Sequence, residues 1–137
     1  MKKILLFVIA VLPLLSCGSF TPKDPEVEDL MGKTWILTNI GSIPAQKGVE
    51  VSLVFVSENE LSGYTGCNEY NSDYSFNAGS FSVSGITAST DSCAESVMDQ
   101  EANYIITLEG AESVKLYGKN LVINSNEIFQ KLKFSPR

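Results

Sequence analysis

The chain has 137 residues, of which 10 are basic and 16 acidic, so its net charge is −6, and it contains no histidine. This length suits a single domain. The absence of histidine excludes a Ser-His-Asp triad, a Cys-His dyad and any His-based metal site. The acidic balance argues against a nucleic-acid partner, because phosphate neutralisation needs clustered Lys and Arg.

The N-terminus has the pattern of a bacterial signal peptide. Lys2 and Lys3 precede an apolar run over residues 4–15. As a helix this run would be about 18 Å long, well short of the ~30 Å hydrocarbon core of a bilayer, so it is typical of a signal peptide rather than a spanning helix. It ends at Ser16-Cys17, in a sequence that resembles a lipobox. We predict a lipoprotein signal peptide over 1–16 and acylation, including palmitate, at Cys17; an ordinary secreted signal with a chance cysteine is the alternative.

Lipidation at Cys17 predicts a membrane attachment that depends on acyl chains rather than on a basic patch. Removal of Lys2 and Lys3 leaves 8 basic and 16 acidic residues, a net charge of −8 over 121 residues. Several acyl chains, each contributing about 0.8 kcal/mol per buried CH₂, make a durable anchor. Residues 17–29 are interpreted as the lipidated terminus and an extended tether. Gly18 carries no acidic retention signal, so we expect the outer rather than the inner membrane of the cell envelope.

Residues 30–137 are interpreted as one domain that begins with short strands. A strand starts at Trp35, and alternating apolar residues predict another over 49–56, with 60–64 as its hairpin partner after a turn. Residues 70–76 and 81–86 are predicted to form a second hairpin, since the residues between them favour a turn. After a helical segment, strands are predicted over 114–117, 121–123 and 128–134.

The segment from Asp91 to Gly110 changes to the helical period. Its predicted apolar stripe consists of Met98, Ala102, Ile105 and Leu108. Asp91 or Ser92 is the expected N-terminal cap, and Gly110 the C-terminal one. This order predicts an α+β fold in which a curved, barrel-like antiparallel sheet of about seven or eight strands packs with one α-helix.

A set of motifs in fixed order runs from Leu30 to Phe134. These are Leu30-x-Gly32-x-x-Trp35-x-Leu37, Leu61-Ser62-Gly63-x-x-Gly66-Cys67-Asn68-x-Tyr70, Met98-x-x-Glu101-x-x-Tyr104-x-x-x-Leu108, Leu121-x-Ile123 and Leu132-x-Phe134. The set resembles the META domain, the family of HslJ-like heat-shock lipoproteins. The resemblance implies a small mixed α/β barrel-like fold, often on envelope lipoproteins, without a defined molecular activity. Its motif residues here are Trp35, Gly63, Gly66, Cys67, Asn68 and Glu101.

Cys67 and Cys93 remain as an even pair in an oxidising compartment. We favour a structural disulfide, which would close a loop of about 27 residues and contribute about 3.5 kcal/mol. A redox or metal-binding thiol pair and two unpaired buried thiols are the alternatives. Neither cysteine belongs to a Cys-x-x-Cys motif, and no histidine is present to lower a thiol pKa. We expect no metal and no cofactor.

Residues 62–92 are rich in Ser, Gly, Asn and Tyr, a composition that binding loops also use. Asn68, Tyr70 and Tyr74 are therefore candidate binding residues. The alternative is that Asn68 bonds turn backbone while the tyrosines pack the sheet. Trp35 is interpreted as a core anchor.

Carboxylates are the remaining candidates for chemistry, since a glycosidase needs two of them facing one substrate. They are Glu69, Asp73, Asp91, Glu95, Asp99 and Glu101. The sequence places no such pair, so we expect no catalytic residues and a non-enzymatic monomer that supports envelope stress tolerance by binding a protein, peptide or glycan. The alternatives are a small-molecule or lipid carrier with an internal apolar cavity, and a carboxylate-based hydrolase.

Overall fold

The computed structural model describes residues 21–137. The predicted signal peptide and Cys17 lie outside the described residues. Over 21–137, no helix combines the length and the apolar character needed to cross a bilayer.

The strands form one antiparallel sheet that closes on itself. They are β1 (Trp35–Ile40), β2 (Ile43–Pro44), β3 (Ser52–Phe55), β4 (Glu60–Tyr64), β5 (Glu69–Asn77), β6 (Ser80–Ala88), β7 (Ala111–Tyr117), β8 (Asn120–Ser125) and β9 (Lys131–Pro136). Their order is β2-β1-β3-β4-β5-β6-β7-β8-β9, and β1 also pairs with β9. The result is an 8-strand barrel with β2 as an extra strand, which confirms the predicted fold.

Strand β5 illustrates how the sequence specifies this sheet. Tyr70, Ser72 and Tyr74 are buried, while the residues between them are exposed. Successive side chains of a strand point to opposite faces, so this alternation turns one face of β5 into the barrel interior.

In the part of the chain that the structure describes, two helices lie at opposite ends of the barrel. Helix α1 (Val27–Leu30) precedes β1, and the indole nitrogen of Trp35 donates to the Leu30 carbonyl at 2.9 Å. Helix α2 (Glu95–Glu109) connects β6 to β7 and contacts β6, β8, β9 and β1. It therefore lies across the end of the barrel at which β1, β6 and β8 finish.

Aromatic side chains fill the interior between the helices. Tyr104 of α2 is fully buried, with its ring centroid 5.8 Å from that of Tyr70 and 6.4 Å from that of Phe134. Phe55 meets Tyr74 edge-on at 5.2 Å. Such edge-to-face pairs contribute beyond the area that they bury.

The predicted helix differs from α2 in its start and in its buried face. The helix begins at Glu95 after Ala94, which makes no side-chain cap, so the expected caps Asp91 and Ser92 were wrong. Gly110 does end the helix, and its N–H donates to the Ile106 carbonyl. The buried residues are Gln100, Tyr104, Thr107 and Leu108. Of the predicted stripe only Leu108 is buried, because polar and aromatic residues occupy the inner face.

The ends of the domain also differ from the sequence interpretation. The last strand begins at Lys131 rather than 128, and Ile128 is 82% exposed. In the described part of the expected tether, Lys23 pairs with Leu116 through two backbone hydrogen bonds of 2.9 Å, and Val27 starts α1. Residues 23–29 are thus attached to the barrel rather than forming an extended tether.

Candidate functional site

The turn between β4 and β5 is built around Thr65 and Asn68. The Thr65 N–H donates to the Asn68 carbonyl at 2.8 Å, and the Asn68 N–H donates to the Thr65 hydroxyl at 2.9 Å. Gly66 has a φ of 95°, and a Cβ there would lie 2.4 Å from Val49 Cγ1. A glycine is therefore required at this position both by the backbone and by the neighbouring side chain.

The side chain of Asn68 connects this turn to helix α2 and to the segment before it. Its Nδ2 donates to the Glu101 carboxylate, at 3.0 Å to Oε1 and 2.9 Å to Oε2. Its Oδ1 accepts from the Ser89 hydroxyl at 3.0 Å and from the Asp91 N–H at 2.7 Å. The Thr65 hydroxyl also contacts Glu101 Oε2. We call Thr65, Asn68, Ser89 and Glu101 the polar clasp.

A disulfide between Cys67 and Cys93 lies beside the polar clasp, with the two Cα atoms 6.0 Å apart. Cys67 is buried and Cys93 is exposed. The bond joins the β4–β5 turn to the start of α2, as the sequence analysis favoured. The clasp and the disulfide therefore hold the same two segments together.

The tyrosine candidates lie inside the barrel. The hydroxyl of Tyr70 lies 2.6 Å from that of Tyr104 and donates to the Ser52 carbonyl at 3.2 Å. The Tyr74 hydroxyl donates to the Ser57 carbonyl at 2.7 Å. Burial raises the pKa values of both Tyr70 and Tyr104, because the phenolate would lose its hydration there.

These positions correct the expectation of a binding surface made from Asn68, Tyr70 and Tyr74. Each is at most 4% exposed. Each polar atom described above is bonded to the protein itself, so the three residues stabilise the fold rather than face a ligand. Trp35 is likewise fully buried, in agreement with its interpretation as a core anchor.

A cleft lies between α2 and the β1–β2 hairpin. One wall is apolar and consists of Ile40, Ile43, Pro44 and Phe129. The other is polar and consists of Ser96, Asp99, Gln100 and Asn103 on successive turns of α2, with Gln46 at one end. We call this feature the α2 cleft; its volume is about 220 Å³.

Gln100 is a buried polar residue of the α2 cleft. Its Oε1 accepts from the backbone N–H of Gln46 at 2.6 Å, and the residue is only 9% exposed. Its Nε2 is buried and has no hydrogen-bond partner among residues 21–137. Buried amide hydrogens are seldom left unpaired, because desolvation without a new bond is costly.

Residues 28–136 match the META domain family. The chain belongs to the META domain family. A solved structure described as an NMR structure of a protein has 17% identity and a TM-score of 0.66, over 81% of this chain and 94% of that one. An NMR structure of a protein from Burkholderia xenovorans has 16% identity and a TM-score of 0.64, over 99% of both chains. No curated protein matches the chain.

The META motif residues can now be given physical roles. Trp35 anchors α1, and Gly66, Cys67, Asn68 and Glu101 build the turn, the disulfide and the polar clasp. At Gly63 a Cβ would lie 2.1 Å from the Ser52 carbonyl oxygen, so two strands approach too closely for a side chain. The motif of this META domain therefore specifies a scaffold.

The other candidate carboxylates do not gather at one place in the META domain. Glu69, Asp73, Asp91, Glu95 and Asp99 are all exposed. Glu101 is half-buried and is held by Asn68. No group of three metal-ligating side chains occurs within 21–137.

Sequence reasoning missed the α2 cleft, and Gln100 in particular. One signal was available: Gln100, Tyr104 and Leu108 recur every four residues and so share a helix face. Because glutamine is usually exposed, its place on that face indicated a polar contact at the barrel end.

Proposed function

We propose that this HslJ-like META-domain protein is a lipid-anchored component of the bacterial envelope that supports stress tolerance by binding a partner and catalyses no reaction. The observation that carries the binding role is a contrast between two polar sets. The polar clasp is bonded within the protein, whereas Gln100 in the α2 cleft retains unpaired donors within the described residues. Ser72 Oγ, on β5, is the other buried and unpaired side-chain atom of the described residues. A fixed scaffold with an unpaired donor in the lining of a cleft suits recognition.

The geometry of the chain is consistent with an anchor at Cys17. Lys23 pairs with Leu116, near the end of β7 that is remote from α2. A chain of six residues, extended by about 3.5 Å each, would reach about 20 Å from Lys23 to Cys17. The α2 cleft would then face away from the membrane, toward soluble envelope components.

The two alternative functions have less support in the geometry. The aromatic core occupies the space that a carrier would need for an internal ligand. A hydrolase would need two carboxylates across one cleft, whereas Asp99 is the one carboxylate that the described part of the chain contributes to the α2 cleft.

Metabolic labelling with a palmitate analogue tests the anchor. We expect label on the wild-type protein, none on Cys17→Ser, and release of that variant from the membrane fraction. The matched control is Cys67→Ala/Cys93→Ala, which keeps Cys17 and should retain the label. An unlabelled wild type, or a Cys17→Ser protein that stays in the membrane, would refute lipidation.

Crosslinking in intact cells tests the binding role. A photoreactive residue in place of Ile43, at the exposed rim of the α2 cleft, should give a discrete adduct. The same residue in place of Tyr117, which is also exposed but remote from the cleft, serves as the control. If no position on the barrel surface yields an adduct with a protein, peptide or glycan, the binding role is wrong.

A further inference from the structure

The side-chain amide of Gln100 has a fixed orientation. The Gln46 N–H donates to Oε1 at 2.6 Å, and rotating the amide by 180° would set two donors against each other. Nε2 therefore keeps both hydrogens as donors, and it is shielded from solvent with no acceptor within the described residues. A ligand that supplies an acceptor oxygen would satisfy a donor that is already desolvated.

The charge of the α2 cleft restricts which chemical group can supply this acceptor. Among residues 21–137, Asp99 is the only ionisable residue that lines it, and Asp99 directly precedes Gln100 on α2. A ligand carboxylate or phosphate beside it would meet like-charge repulsion. A neutral carbonyl fits better, and an N–H on the same ligand can donate to the Asp99 carboxylate or to Asn103.

The opposite wall selects an apolar group. Ile40 is buried at its base, Ile43 is 54% exposed at its rim, and Phe129 packs beside them. A cleft of about 220 Å³ is smaller than the ~300–1,000 Å³ of drug-sized sites, which limits the ligand to a small fragment. A backbone amide with one apolar side chain has the required acceptor, donor and apolar group.

We propose that the α2 cleft binds a peptide segment, with a peptide carbonyl accepting from Gln100 Nε2 and an apolar side chain packing on Ile40 and Ile43. This inference rests on the proposed binding role and is independent of lipidation at Cys17. One such hydrogen bond adds little affinity, so a single amide unit binds weakly and a longer segment binds more tightly.

The test uses NMR titration of the full-length protein in detergent with N-acetyl-leucine N-methylamide. We expect saturable shifts of the Gln100 side-chain amide and the Ile43 methyl groups, with a millimolar Kd. N-acetyl-aspartate N-methylamide, which carries a carboxylate in place of the apolar group, should bind at least about tenfold more weakly.

Gln100→Glu is the decisive variant, because a carboxylate still accepts from the Gln46 N–H but offers no donor. It should weaken binding of the leucine amide about tenfold or more while leaving the backbone spectrum native. Ile43→Ser should also weaken binding. Asn124→Asp, on β8 outside the cleft, is the matched control and should leave the Kd unchanged.

Three results would overturn the peptide site. They are an absence of shifts at Gln100, equal affinity of Gln100→Glu and wild type, and occupation of Nε2 by an ordered water that the ligand does not displace. If any of these results is found and a partner is crosslinked through another face, the proposed function stands and only the peptide site in the α2 cleft is refuted. If no adduct forms and the leucine amide causes no shifts, both proposals are refuted.

Discussion

The hydroxyls of Tyr70 and Tyr104 lie 2.6 Å apart in the buried centre of the barrel, one from β5 and the other from α2. Tyr70 donates its single hydrogen to the Ser52 carbonyl at 3.2 Å, so Tyr104 donates to the Tyr70 oxygen. This chain of two bonds ties the helix to the sheet through the interior. The two tyrosines therefore have unequal roles.

Removing the two hydroxyls one at a time tests the assigned direction of hydrogen-bond donation. Tyr70→Phe removes both bonds and leaves the buried Tyr104 hydroxyl without its acceptor, so we expect the free energy of unfolding to fall by about 2–3 kcal/mol. Tyr104→Phe removes one donor only and should cost about 1 kcal/mol. Urea unfolding at pH 7 measures both. Equal losses, or a larger loss for Tyr104→Phe, would contradict the assigned donor direction.

The same pair predicts a loss of stability at alkaline pH. Burial raises the pKa of each hydroxyl in the folded state, whereas the unfolded tyrosines ionise near pH 10. Above that pH the unfolded state binds fewer protons than the folded state, so the free energy of unfolding decreases with rising pH. The contribution of the two protonated tyrosines to the free energy of unfolding is present below pH 10. It is lost above that pH, by up to about 1.4 kcal/mol per pH unit for each tyrosine.

Urea unfolding between pH 8 and pH 11 measures this dependence. The double variant Tyr70→Phe/Tyr104→Phe is less stable at pH 7 but should show a shallower decline above pH 10. A double variant with the same alkaline slope as the wild type would show that other groups cause the decline.

Most strands of the sheet could be predicted because the sequence features that indicate a strand lie within a few neighbouring residues. Strand β4 occupies Glu60–Tyr64, as predicted from the turn that precedes it, since a short polar turn after one strand returns the chain as its hairpin partner. Strand β2 could not be found this way, because Ile43–Pro44 is too short to show a period. It is ordered by pairing with the end of β1, which is a tertiary contact.

For helix α2, hydrophobic periodicity predicted the wrong buried face. The predicted stripe included Ala102, which is exposed, and omitted Tyr104, which is fully buried. The inner face of α2 accepts Gln100 because a backbone N–H from the β2–β3 loop meets its side chain. That partner is 54 residues away in sequence, so no local pattern reveals it. The α2 cleft escaped prediction for the same reason.

The bond between Asn68 and Glu101 predicts a charge-dependent defect. Asn68→Asp places a carboxylate oxygen where Nδ2 now donates to both Glu101 oxygens, at 3.0 and 2.9 Å. We expect the free energy of unfolding at pH 7 to fall by about 3 kcal/mol, because two carboxylates then face each other. Their mutual repulsion raises the pKa of one of them in the folded variant, so the defect should shrink as the pH falls toward 4.

The control for this defect is the exchanged pair Asn68→Asp/Glu101→Gln. Here the amide lies on the helix and the carboxylate on the turn, so one donor again faces one acceptor and most of the loss should be recovered. Thermal unfolding at pH 7 and pH 4 compares the variants. A double variant as unstable as Asn68→Asp alone would show that the clasp depends on more than this bond.

The disulfide predicts a redox-dependent stability. Cys67 and Cys93 are 26 residues apart, and in the chain-entropy model their bond contributes about 3.5 kcal/mol by restricting the unfolded chain. Reductant should therefore lower the unfolding midpoint of the wild type. The Cys67→Ala/Cys93→Ala variant should have the lower unfolding midpoint without reductant, and adding reductant should not change it. Mass spectrometry that finds both thiols free in exported protein would contradict a structural disulfide.

The close approach of strands at Gly63 gives the last prediction. A Cβ there would lie 2.1 Å from the Ser52 carbonyl oxygen and 2.7 Å from the Tyr70 hydroxyl. Because a backbone oxygen of β3 cannot move without disturbing the ladder to β4, Gly63→Ala should cost about 3 kcal/mol or more. Gly48→Ala is the comparison: its φ of 81° makes alanine strained, but the space around it is open, so about 1–2 kcal/mol is expected. If urea unfolding ranks Gly48→Ala as the more damaging change, steric contact at Gly63 is not what requires glycine there.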